Sequence, residues 1–200
     1  MNRILIITLA FLLGACSFVG IKLTERASIR VSIEGQDRIR FSGKGAGAGM
    51  MMSASMGSMG IAIGVAIDEG ISKEIYDSFV ASGGTFSEIV KTEANTWLSK
   101  VCQEKLNGSD TLCSANTVLN VRVYHYGLVT TSGENNPVKA ELDVGFVVGD
   151  QTEIRLNLKD LGVAPTAPLE KAKSEGEISS GLLATGYQAL LEDFASKLSR

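Results

Sequence analysis

The chain has 200 residues with 19 basic and 22 acidic side chains, one histidine and three cysteines, and a formal charge of −3. That length supports one sizeable hydrophobic core but hardly two full domains. The acidic balance, without any Lys/Arg cluster, argues against nucleic acid as a partner. The single histidine, His125, excludes multi-histidine metal sites and leaves any Ser/His or Cys/His chemistry dependent on one residue.

Met1, Asn2 and Arg3 make a short positive start, residues 4–13 are apolar except for Thr8, and small residues lead into Cys16. This is the three-part layout of a secretory signal, too short to cross a bilayer as a permanent helix. Leu13, Gly14, Ala15 and Cys16 together resemble the lipobox of bacterial lipoproteins, with Gly14 in a place more often held by Ala or Ser. The resemblance implies that residues 1–15 are removed and that Cys16 carries the lipid. Ser17 stands where the inner-membrane retention pattern has Asp, so the resemblance also implies a lipid-anchored protein of the outer membrane, facing the periplasm. Two or more acyl chains hold a protein stably, whereas one holds it marginally. Removing residues 1–15 takes away one basic side chain, Arg3, and leaves a net charge of −4.

Residues 16–27 form a short tether, and the remainder, 28–200, is expected to fold as a single α+β domain. Residues 28–34 alternate, with Ile29, Val31 and Ile33 on one side; a turn signal at Gly35, Gln36 and Asp37 and then residues 38–41 follow. The stretch reads as a strand or a hairpin.

Residues 45–67 contain no charged side chain. Small residues recur at helical spacing, with Gly49, Ser53 and Gly57 on one row and Gly60 and Gly64 on an adjacent one. Such rows let helix backbones approach closely. The segment resembles the glycine-zipper stretches of bacterial envelope proteins. Three readings follow: insertion into a bilayer as a helix or helical hairpin, homo-oligomer packing, and a Gly-rich loop within the domain.

Asp68 and Glu69 read as the polar stop of that apolar segment. Ile71, Ile75 and Phe79 then mark a helix that ends at Ser82, Gly83 and Gly84. Thr85 with Glu88 matches a capping box, and Phe86, Ile89, Val90, Ala94, Trp97, Leu98 and Val101 trace the apolar face of the helix it opens. With Cys16 assigned to lipid, Cys102 and Cys113 remain as an even pair in an oxidising compartment, which predicts a disulfide from the end of this helix to the start of the sheet. It closes a loop of turn residues, Asn107, Gly108, Ser109 and Asp110. Residues 117–130, 138–148 and 152–158 read as an antiparallel meander with a polar turn at residues 132–137, residues 164–168 as a loop, and residues 175–198 as a terminal amphipathic helix.

The expected architecture is a mostly antiparallel sheet with helices packed on one face, into which the Gly-rich segment leads. The element order and the anchor resemble auxiliary envelope lipoproteins of the curli-secretion and transporter-auxiliary type, which implies a fold and a compartment only. No G-x-S-x-G, H-E-x-x-H, P-loop or Rossmann glycine pattern occurs. Glu141 and Asp143 share a strand face without an opposing carboxylate, and Tyr124 and Tyr126 are expected to share another. The expectation is a non-enzymatic protein without cofactor or metal, held to a membrane by its lipid and assembling with itself or with other envelope proteins. A channel or secretion component, or a periplasmic module for lipid or peptidoglycan, are the alternatives.

Overall fold

Alternating apolar residues demand a sheet with one dry face, and the chain builds it from strands drawn from both halves of the sequence. A computed structural model describes residues 27–36, 38–104, 112–114, 116–131, 136–162 and 164–198. In chain order the elements are β1 (Ser28–Ile33), β2 (Arg40–Ser42), α1 (Lys44–Met56), α2 (Ser58–Ala81), α3 (Phe86–Glu104), β3 (Val118–Thr130) and β4 (Pro137–Val148). They continue with β5 (Ile154–Asn157), a 3-10 turn (Leu158–Leu161), β6 (Thr166–Pro168), α4 (Leu169–Ser174) and α5 (Gly176–Leu198). The class is α+β, with a mixed, mostly antiparallel sheet.

The two long strands β3 and β4 form the antiparallel centre, from Leu119 opposite Val148 to Thr130 opposite Val138. Two short strands flank each of them in succession. On one side β1 and then β2 run parallel to β3, with Ser28 opposite Val118 and Ser42 opposite Val129. On the other side β5 and β6 run antiparallel to β4. Residues 28–41 are therefore not a hairpin: the chain continues in one direction past Gly35, because both segments find their partners on β3. Residues 164–168, expected as a loop, include β6, whose Ala167 pairs with Val138.

The gap between β1 and β2 is closed by a side chain. Gln36 donates through Nε2 to the carbonyl oxygen of Tyr126 and, at 2.7 Å, to that of Arg38, and its Oε1 accepts from the Tyr126 N–H at 3.3 Å. A side-chain amide carries the same donor and acceptor as a peptide unit, so Gln36 continues the ladder where the backbone turns away.

On β4 the inward row Val138, Ala140, Leu142, Val144, Phe146 and Val148 is buried against the helices. Phe146 stacks on Phe194 of α5 with centroids 4.6 Å apart, and Phe86 of α3 stacks on Tyr126 at 4.5 Å. Burying a large apolar side chain contributes about 1.5–3 kcal/mol, so this row and its helical partners supply the main folding force. The opposite face of β4 carries Lys139, Glu141 and Asp143. One face of the sheet is thus covered by helices and the other is polar.

The Cα atoms of Cys102 and Cys113 lie 5.5 Å apart and the pair is disulfide-bonded, which joins the end of α3 to the approach to β3. Beside it, Ala27 N–H donates to Leu112 O at 2.8 Å. The intervening turn, residues 107–110, lies outside the described residues.

Candidate functional site

Residues 44–67 form a helical hairpin, not a loop. Gly57, at φ +58° and ψ −133°, is the single residue between α1 and α2, a conformation that L side chains rarely adopt. The tip is internally bonded: Gly57 N–H donates to Ser53 O at 2.9 Å and Gly60 N–H to Gly57 O at 3.1 Å. Ser53 Oγ and Ser55 Oγ donate back to the Met50 and Met52 carbonyl oxygens at 2.8 and 3.2 Å.

The seam of the hairpin is glycine. Gly45 and Gly49 on α1 and Gly60 and Gly64 on α2 are its buried residues within the charge-free stretch. A methyl group built on Gly64 would collide with the Gly45 carbonyl, and one on Gly60 with the backbone of Met52 and Ser53. The two rows read from the sequence are thus the two limbs of an intramolecular zipper. Gly49, Gly60 and Gly64 lie in the seam and Ser53 lies against Gly60, whereas Gly57 is the turn, exposed and off the seam. Gly45, outside those rows, is the tightest contact; the i, i+4 spacing from Gly45 to Gly49 is the signal that marks it.

Because backbone meets backbone at the seam, the side chains turn outward. Met51 is 83 % exposed and Met50 76 %, with Met59, Ile61 and Val65 close to 60 %. These are far above any core value, and they belong to a segment with no charge on any side. The packing partner of α1 is α2, and no other described element makes more than marginal contact with it. A groove of about 370 Å³ runs along the seam past Gly49, Met50, Ile61 and Val65.

Asp68 anchors the base of the hairpin. Its carboxylate accepts from the N–H of Gly45 at 2.6 Å and of Gly43 at 3.1 Å, which caps the amino end of α1 from the neighbouring helix. A negative group there meets both unsatisfied donors and the positive end of the helix dipole. Glu69 pairs with Arg38 at 2.7 Å. Asp68 and Glu69 therefore do not stop a helix; α2 runs through them to Ala81, and Ser72, buried, donates to Ile39 O at 2.6 Å to lock its second half onto the sheet.

The polar face of the sheet holds the other candidate residues. A bulge at Tyr124 shifts the β3 register between Val123 and His125, so Tyr126 turns into the core while Tyr124 stays on the outer face. The two tyrosines do not share a face. Tyr124 donates to Glu153 at 2.7 Å and lies 4.1 Å under the Arg155 guanidinium, which binds Asp143 through two nitrogens at 2.8 and 2.6 Å. That carboxylate bond holds Arg155 above its ordinary value, and donation to Glu153 raises Tyr124. His125 Nε2 lies 3.5 Å from Glu141, and the neighbouring imidazole lowers the Glu141 carboxyl. Glu141 and Asp143 do share the outer face, each engaged with a cationic or imidazole neighbour. Among the described residues, no group of three or more His, Cys, Asp or Glu side chains is placed to hold a metal ion.

Between α3 and α5 a cleft of about 340 Å³ is lined by Trp97, Lys100, Glu104, Gln188 and Glu192. Cys16 and residues 1–26, which carry the expected signal and anchor, lie outside the described residues. No protein-family model, no curated protein and no solved structure matches this chain.

Proposed function

We propose that the protein is a non-enzymatic, lipid-anchored envelope protein with a structural or assembly role, and that the helical hairpin of residues 44–67 is its working element. The observation that carries the reading is the exposure of Met50, Met51, Met59, Ile61 and Val65 on a charge-free hairpin whose seam is glycine. Exposed apolar surface of this extent on a soluble domain marks a contact with lipid or protein. A lipid on Cys16, as the lipobox resemblance implies, would keep that surface beside a membrane.

Deleting residues 45–67 tests the assignment, with oligomer size in detergent and extraction from membranes as the readouts. Smaller oligomers or easier extraction support it; unchanged size and unchanged extraction remove the hairpin from the function. Palmitate labelling with a Cys16→Ser control tests the anchor separately.

A ligand-binding module is the second reading, favoured by the cleft beside Trp97 between α3 and α5. Native mass spectrometry of the purified protein should then show a bound lipid or glycan fragment that is lost on Trp97→Ala.

A further inference from the structure

We infer that the hairpin of α1 and α2 enters end-on into one leaflet of a phospholipid bilayer, a second attachment beside the lipid anchor. This deepens the proposed function by committing its contact surface to acyl chains.

Four observations converge on that partner. First, the perimeter of residues 45–67 is uncharged on every side, with Met51 and Met59 at least as exposed as Ile61 and Val65. A protein partner seated on one face would leave the other side in water, whereas a solvent of acyl chains meets all sides alike. Second, the length fits one leaflet. The charge-free limbs, residues 45–56 and 58–67, rise about 15–18 Å at 1.5 Å per residue, against about 15 Å for half of a hydrocarbon core. Among the described residues, no helix is long and apolar enough to cross a membrane.

Third, lipid tolerates only backbone whose polar groups are bonded internally. At the tip two backbone donors are bonded internally, Gly57 N–H to Ser53 O and Gly60 N–H to Gly57 O, and at the opposite, polar end Asp68 bonds the Gly43 and Gly45 donors at the start of α1. Fourth, charge begins where the limbs end. Lys44, Asp68, Glu69 and Arg38 form a collar at the base, at the level of the headgroups when the limbs are submerged.

The proposed anchor is compatible with this pose. Ala27 stands at the Val118 end of the sheet and the hairpin base at the Thr130 end, about 40 Å apart at 3.3 Å per strand residue. The eleven residues from Cys16 to Ala27 reach at most about 36–40 Å when extended, so both attachments engage one membrane surface only with that tether fully drawn out or the long axis of the sheet tilted toward the membrane.

Depth-resolved fluorescence quenching tests the inference on the full protein in vesicles of phosphatidylethanolamine and phosphatidylglycerol with brominated acyl chains. Each tryptophan variant is made in a Trp97→Phe background, so that the introduced indole is the sole tryptophan. In Met56→Trp the introduced indole should lose most of its emission to bromines near the chain ends, and in Ala46→Trp to bromines near the glycerol. Adding Ile61→Lys, at an exposed position where folding is preserved, should weaken insertion about a hundredfold and abolish the quenching. Equal shallow quenching at both positions overturns end-on insertion. No quenching by any brominated lipid overturns the inference outright, and a discrete detergent-resistant oligomer in that case gives the hairpin to a second copy. Labelled, vesicle-bound protein without quenching leaves the anchor standing and removes the hairpin; quenching without palmitate does the reverse.

Discussion

Gly45 and Gly64 meet backbone to backbone, each occupying the space where the other's Cβ would be. Close approach there is what allows two short helices with few interdigitating side chains to stay together.

Gly64→Ala should therefore splay the hairpin, at a cost of about 1–3 kcal/mol or a local opening, because backbone cannot yield as a side chain can. Gly47→Ala, one row away with open space at the added methyl, should instead raise helicity by up to about 1 kcal/mol. Amide hydrogen exchange over residues 44–67 distinguishes the two: faster in the first variant, slower in the second.

Gln36 supplies the ladder bonds to β3 in the gap between β1 and β2. Gln36→Ala takes away its bonds to both the N–H and the carbonyl of Tyr126 and should destabilise the fold by about 1–3 kcal/mol. Gln36→Glu sets a carboxylate oxygen against the Arg38 and Tyr126 carbonyl oxygens, so in urea titrations at neutral pH it should be at least as destabilised as the alanine variant.

The Tyr187 hydroxyl is buried in the core without a protein hydrogen-bond partner among the described residues, and burial holds its ionisation well above the ordinary phenol range. Tyr187→Phe removes the unsatisfied polar atom while keeping the ring against Phe146, and should leave stability unchanged or raise it by about 1 kcal/mol. Equilibrium unfolding decides, and a loss of more than that would show that the hydroxyl is bonded in solution.

The Glu141 carboxyl is lowered chiefly by the His125 imidazole beside it. A depressed carboxyl stabilises the fold fully above its unfolded value near 4.5, and the contribution fades as pH drops from there through the folded value. Glu141→Gln should flatten that part of the acid limb of a stability profile and leave the region above pH 6 with little change in slope, to be checked by thermal melts across the range.

Local patterns were legible and distant pairings were not. The periodicity predicting residues 175–198 matches α5, and the Thr85 half of the capping box is present, with the Glu88 N–H bonded to Thr85 Oγ1 at 3.2 Å. Both are written within a few residues of themselves. The parallel course of β2 depends on β3, far along the chain, and the cap supplied by Asp68 depends on a fold-back of the hairpin, so neither leaves a local mark. The bulge at Tyr124 is invisible for a different reason: alternation in Val123, Tyr124, His125 and Tyr126 suits either phase, and only packing of Tyr126 on Phe86 selects one. Small residues at helical spacing predicted close helix contact, but could not say whether the partner was the same chain.

The pairing of Ser28 with Val118 also bears on how the chain matures. A polypeptide delivered amino end first displays Ile29, Val31 and Ile33 about ninety residues before their neighbouring strand arrives, so the earliest strand to emerge is among the last to dock. During that interval its bare edge is the surface that a chaperone, or another unfinished copy, would meet.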